Sequence, residues 1–121
     1  NGDQAQLSYL LGRCSGLYLS IAKSMETRAD SKELGDQYAS AGGSLMMKYI
    51  GFVEGLGNYS DDSAAAKKRF EGYQQTIGDF ANAYIDVMAE NWTRNGSYLA
   101  GDSFMQGEVE VCKLVAEAVS Q

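Results

Sequence analysis

Carboxylate side chains recur at helical spacing in the second half of the chain, and they are the residues best suited to acid–base chemistry. Asp79, Asp86 and Glu90 lie at intervals of seven and four, and Glu110 and Glu117 repeat the interval of seven. Such spacing places each set on one face of a helix. A catalytic pair needs one carboxyl whose pKa is raised by burial. Because these positions lie largely opposite the apolar residues, we expect solvated helix faces.

The chain contains no histidine, and this absence removes several kinds of functional site. Histidine-ligated haem, HExxH metalloproteases and Ser-His or Cys-His nucleophiles are all excluded. The segment SAGGSLMMK at 40–48 interrupts a helical pattern and does not follow a strand, as a phosphate-binding loop would. We expect no metal and no other cofactor. An enzyme that uses carboxylates is the third of three functional hypotheses.

The two cysteines are the other chemically reactive side chains. Cys14 and Cys112 lack the Cys-x-x-Cys spacing of zinc and thioredoxin-like sites. Each lies near the middle of an apolar helical repeat, in the first and the last predicted helix. If these helices are neighbours, the sulfurs meet in a disulfide; two buried free cysteines are the alternative. A disulfide would indicate an oxidising compartment, and we therefore expect a periplasmic or secreted protein.

Length and charge narrow the class of protein further. With 121 residues, of which 45% are hydrophobic, the chain fits one globular domain over residues 1–121. The net charge of −6 argues against a nucleic-acid partner, because affinity for phosphates depends on Lys and Arg. No apolar run approaches the roughly 18 residues of a membrane-spanning helix.

Apolar residues recur every three to four positions along the chain, which has no proline, and this pattern predicts helices throughout. Short connections predict an all-α, antiparallel up-down-up-down four-helix bundle, with the terminal helices joined by a Cys14–Cys112 disulfide. The second helix could be split at its glycines. The predicted helices cover about 4–25, a segment from 31 to the break at 55–63, a segment from there to 94–97, and a last helix after 101.

Polar residues before three of these helices fit the chemistry of N-terminal caps. Asp30 or Ser31 would cap the second helix. The third would be capped by Ser60, Asp61 or Asp62, and Ser103 with Gln106 has the spacing of a capping box before the fourth. We expect the last helix to present these residues to the core: Phe104, Val109, Cys112, Val115, Ala116 and Val119.

Small residues recur every four positions on the first helix, at Gly12, Gly16 and Ser20. A glycine inside a helix costs about 1 kcal/mol relative to alanine, so a close contact must offset that cost. A neighbouring helix or a core aromatic ring is one explanation, and a flat ligand or a second subunit is another. Gly12, Gly16 and Tyr18 therefore form the candidate groove of the second functional hypothesis, a carrier of a small apolar or aromatic ligand.

The second helix carries more apolar residues than one core stripe needs, which suggests an exposed patch that adapts to a partner. Trp92 and Tyr98 cluster around the turn at 91–104 and could add an aromatic anchor. The first functional hypothesis is a small exported, non-enzymatic interaction module that binds a protein partner or a second copy of itself. The candidate binding surface consists of Met46, Met47, Tyr49, Phe52, Trp92 and Tyr98.

Overall fold

A computed structural model describes residues 2–26, 31–57, 62–96 and 102–119. These ranges contain only helices, turns and bends, so the predicted all-α class is confirmed. The second helix is continuous through its glycines rather than split. The described residues form four helices: α1 (Gly2–Met25), α2 (Lys32–Leu56), α3 (Ser63–Asn95) and α4 (Ser103–Val119).

Short aspartate side chains begin two of the helices. The carboxylate of Asp62 accepts a hydrogen bond of 3.0 Å from the backbone N–H of Ala64 at the start of α3. Asp102 does the same for Phe104 at 3.2 Å, so Asp102 and not Ser103 caps α4. The other end of α3 is closed by Gly96, whose φ of 72° lies in the left-handed region that favours glycine.

Contacts between the helices confirm the up-down-up-down order. Gly42 of α2 lies opposite Ser15 and Gly35 lies opposite Met25, so α1 and α2 are antiparallel. The carbonyl of Gly42 accepts a hydrogen bond of 2.9 Å from the Ser15 hydroxyl. The Asn91 amide donates a hydrogen bond of 2.7 Å to the Asp102 carboxylate, and the Tyr84 hydroxyl bonds to Glu108, so the start of α4 lies beside the C-terminal part of α3 and α4 runs back from there.

Helix α1 is the centre of the bundle. Its middle section is buried except at Arg13 and Leu19, and even the polar residues Ser15 and Ser20 are only 0% and 1% exposed. Helices α2 and α3 pack along it, and α4 crosses it. The buried apolar core is formed by Leu11, Cys14, Leu17, Tyr18, Ile21, Leu45, Tyr49, Ile50, Ile77, Tyr84, Met88, Met105 and Cys112.

The glycines of α1 mark its closest approach to α3. A Cβ atom at Gly16 would lie 2.6 Å from the Cβ of Phe80 and 2.9 Å from the backbone nitrogen of Ala81. Neither atom can move without shifting the backbone of α3. Gly16 is therefore required by the helix crossing itself, and the close contact offsets its low helix propensity.

The predicted Cys14–Cys112 disulfide is confirmed. The two Cα atoms are 5.3 Å apart, and both side chains are fully buried. The bond closes a loop over a sequence separation of 98 and links the middle of α1 to the middle of α4. The described residues include no helix that is long and apolar enough to span a membrane.

The crossing predicts opposite effects for two glycine substitutions. We expect Gly16→Ala to destabilise the fold by about 1–3 kcal/mol, because the added methyl group overlaps α3. Gly43→Ala on α2 is the control, since no atom lies within 4 Å of a Cβ at that position. It should be neutral or stabilise the helix by up to about 1 kcal/mol. Urea unfolding measures both, and equal effects would contradict the proposed role of Gly16.

The disulfide predicts a large loss of stability when both sulfurs are removed. We expect Cys14→Ala/Cys112→Ala to unfold with a free energy lower by about 4 kcal/mol, because the unfolded chain then gains the entropy of a loop of about 100 residues. Alkylation of the unreduced, denatured wild-type protein, followed by intact mass measurement, is the control. It should modify no cysteine, and two modified cysteines would refute the bond.

Candidate interaction surface

The carboxylates that could have formed a catalytic pair all lie on exposed positions. Asp79, Asp86 and Glu90 are exposed on α3, and Glu110 and Glu117 are exposed on α4. A general acid requires a buried environment, and none of these exposed positions provides one. The described ranges contain no group of three or more His, Cys, Asp or Glu side chains placed to hold a metal ion.

One buried acidic group, Glu108, was not identified from the sequence. It is 6% exposed and forms an ion pair with Arg13 of α1. The Arg13 Nε donates a 2.9 Å hydrogen bond to the Tyr84 hydroxyl, which donates to Glu108 at 3.1 Å. Burial opposes the charge of Arg13, but hydrogen bonds with Tyr84 and Tyr9 outweigh it and raise its pKa. The four-residue interval from Glu108 to Cys112 could have shown that they share a face.

A second polar cluster joins α2 to α3. The Arg69 guanidinium donates two hydrogen bonds to the carboxylate of Glu54, at 3.0 and 3.1 Å, and the Tyr73 hydroxyl donates a third. Hydrogen bonds from Arg69, and then from Tyr73, hold the pKa of Glu54 below its ordinary value. This cluster ties the end of α2 to the first turns of α3, on either side of the connection between them.

Both clusters connect one helix to another, and their buried polar atoms are paired. Every buried side-chain nitrogen or oxygen in the described part of the chain has a hydrogen-bond partner. Arg13, Tyr84 and Glu108 satisfy one another between α1, α3 and α4, as Glu54, Arg69 and Tyr73 do between α2 and α3. Their geometry fits a structural role, in which charge pairing fixes the positions of the helices.

The predicted ligand groove on α1 is filled by the chain itself. The ring of Tyr49 lies 3.1 Å from the Cβ position of Gly12, and Phe80 and Ala81 cover Gly16. Tyr18 is buried against the ring of Tyr38. Burial, with the nearby Tyr38 and Glu117, raises the pKa of Tyr18. The small residues of α1 thus serve helix packing, which was the first of the two explanations.

The structure separates the residues of the predicted binding surface. Met47 and Trp92 are 65% and 46% exposed, whereas Met46 and Phe52 are half-buried against the core. Tyr49 is only 9% exposed, which corrects its assignment to a surface, because the missing side chain at Gly12 makes room for its ring. Tyr98 lies outside the described residues.

Helix α4 carries three exposed large apolar side chains on one face. Leu114, Phe104 and Val111 are 66%, 51% and 45% exposed, and the exposed residues Gly107 and Ala118 lie on the same face. We call these five residues the α4 stripe. The expectation that Phe104 faces the core is wrong, because Met105 is buried in its place.

The orientation of α4 about its own axis could not be read from the sequence, and this is why sequence analysis missed the α4 stripe. Apolar side chains occupy well over half of the helix circumference, so periodicity alone does not determine which of them face inward. Cys112 and Glu108 determine which face of α4 points inward, because α1 holds both residues through the disulfide and the ion pair. The detectable signal was Val111 and Leu114, which lie outside the predicted core stripe.

Comparison with protein-family models, with curated proteins and with solved structures finds no match to this chain. Its function is therefore inferred from its own residues.

The Glu54 cluster predicts a specific dependence of stability on pH. Because the folded state lowers the pKa of Glu54, the stabilisation is complete above about pH 4.5, the ordinary value, and is lost as the pH falls through the folded value. Glu54→Gln should remove this contribution. The difference in unfolding free energy between wild type and variant should be constant from pH 5 to 7 and shrink below about pH 4.5. A difference that grows in acid would contradict the pairing.

Proposed function

We propose that this protein is a small exported, non-enzymatic helical-bundle protein that works as a protein-interaction module. The observation that carries this proposal is the α4 stripe, which exposes three large apolar side chains on a helix whose other face is held in the core. Clustered apolar side chains on a surface are typical of binding sites, whereas isolated ones are common everywhere.

The position of the stripe supports a binding role over a packing role. Leu114 is 66% exposed, although Cys112, two residues earlier, is fully buried. Helix α4 is therefore not loosely attached, and its outer face is presented in a fixed orientation. A rigid, preorganised apolar surface lowers the entropic cost of binding a partner.

Export is proposed on the basis of the disulfide. A buried bond between α1 and α4 persists in an oxidising compartment, whereas reductants of the cytosol remove most structural disulfides. The periplasm and the extracellular space both provide such conditions.

The two other functional hypotheses have less support from the geometry. A ligand carrier would use the small residues of α1, but Tyr49, Phe80 and Ala81 already occupy that face. A carboxylate enzyme would need an acid that is buried and accessible from a cleft. Glu108 is buried, but it is paired with Arg13 and Tyr84.

Site-specific photo-crosslinking in the source cells tests the interaction module. A photoreactive amino acid at position 114 should give a crosslinked adduct of defined mass, because Leu114 lies at the centre of the exposed face. The same group at Lys113 is the matched control, since the adjacent residue projects about 100° away around the helix. Equal labelling from both positions, or none from either, would contradict a binding site on the stripe.

A further inference from the structure

We infer that the partner element bound by the α4 stripe is an amphipathic helix with basic residues beside its apolar face. This inference rests on the proposed interaction function and specifies the chemistry of the partner. It follows from the spacing of the stripe, from the charges along its border and from the shape of the surface next to it.

The spacing of the stripe matches the seam of a helix pair. Its residues, Phe104, Gly107, Val111, Leu114 and Ala118, alternate intervals of three and four. This is the a and d pattern of a coiled coil, in which a side chain of one helix enters a hole on the other. Gly107 and Ala118 leave such holes between the larger side chains. The stripe is about 21 Å long, which corresponds to about four turns of a docked helix.

One border of the stripe is acidic. Glu110 and Glu117 are seven residues apart, are exposed, and occupy the position next to the seam on one side. Lys113 lies on the same side of α4 but farther from the stripe, three residues after Glu110 and four before Glu117, so the two carboxylates stand directly beside the seam. In helix pairs, residues at these flanking positions choose the partner by charge. Two carboxylates in this position favour Lys or Arg on the opposing helix.

A surface groove lies along the same border beside Glu110 and gives a long cationic side chain room to reach that carboxylate. The groove has a volume of about 530 Å³. Gly107 belongs to both the stripe and the groove, and Glu110 lies on its wall, so the apolar and acidic features form one continuous surface. The groove is lined by Ser103, Gln106, Gly107, Val109 and Glu110.

A second copy of the chain fits this surface less well. Each copy has a net charge of −6, and two stripes in antiparallel contact would bring Glu110 and Glu117 against the same residues of the other copy. The charges likewise oppose binding to anionic lipid.

Two synthetic peptides test the inference with the purified, oxidised protein. Both have 21 residues with leucine at the a and d positions, and they carry either lysine or glutamate at the e and g positions. A scrambled lysine peptide without an apolar face controls for simple charge attraction. Fluorescence anisotropy should detect binding of the lysine helix at least tenfold tighter than binding of the glutamate helix or of the scrambled peptide.

Three variants assign the binding to the stripe. Leu114→Gln should weaken binding of the lysine peptide about tenfold, whereas Met47→Gln should leave it unchanged, because Met47 is equally exposed but lies on α2. Glu110→Lys/Glu117→Lys should reverse the preference, so that the glutamate peptide binds more tightly. All substituted side chains are exposed, so urea unfolding should show folded proteins of similar stability.

Several results would overturn the inference. These are equal affinity for the two peptides, an unchanged preference after the double charge reversal, or loss of binding in Met47→Gln. Dimerisation abolished by Leu114→Gln, measured by sedimentation equilibrium, would assign the stripe to a second copy. Binding to vesicles of phosphatidylglycerol but not to the peptides would assign it to a membrane. Crosslinking at position 114 without any charge preference would refute only the basic helix and leave the interaction module intact.

Discussion

Helix α1 is buried around most of its circumference in its middle section, and the rest of the structure depends on enclosing it. A helix with apolar and small residues on most sides leaves little surface for water, so three other helices cover it. The small residues of α1 determine how closely the other helices approach it. Gly16 lets the backbone of α3 come within a distance that no other residue would permit, and Gly12 leaves a space that the ring of Tyr49 fills. Cys14 then fixes the third neighbour covalently.

The enclosure of α1 also determines what α4 shows to solvent. Two adjacent residues of α1, Arg13 and Cys14, hold two residues of α4 that are one turn apart, Glu108 and Cys112. Two attachments on the same side of a helix prevent it from turning about its axis. These attachments determine which face of α4 is buried, so α4 can leave some of its apolar side chains outside the core. Phe104, Val111 and Leu114 stay outside because the attachments lie elsewhere.

Much of this arrangement could be predicted from the sequence, because it depends on local or covalent features. Apolar spacing of three and four residues gave the four helices, and the central positions of Cys14 and Cys112 gave the disulfide. The predicted number of helices is correct although α2 contains glycines, because Gly42 is used for packing and Gly43 is tolerated inside a long helix.

The parts that could not be predicted depend on which side chain fills which space. The sequence allows Tyr49 on the surface or in the core. The space above Gly12, which the Tyr49 ring fills, places it in the core. Asp102 and Ser103 are both good capping residues, and their order in the sequence does not choose between them. The orientation of α4 required knowing that Glu108, a residue type that is rarely buried, is accepted inside by Arg13 and Tyr84.

The acidic charge of the chain and the apolar α4 stripe have opposite effects on self-association. An exposed row of Phe104, Val111 and Leu114 on a neutral protein would promote self-association, because apolar surfaces are not selective about what covers them. A net charge of −6 keeps copies apart at long range, and carboxylates beside the stripe oppose contact at short range. The same carboxylates attract a basic helix. They therefore lower the affinity for a second copy of the chain and raise the affinity for a basic partner. Because Glu110 and Glu117 are exposed, salt should weaken the preference for a basic helix. The apolar contact remains in salt, so the preference should disappear at a lower salt concentration than binding itself.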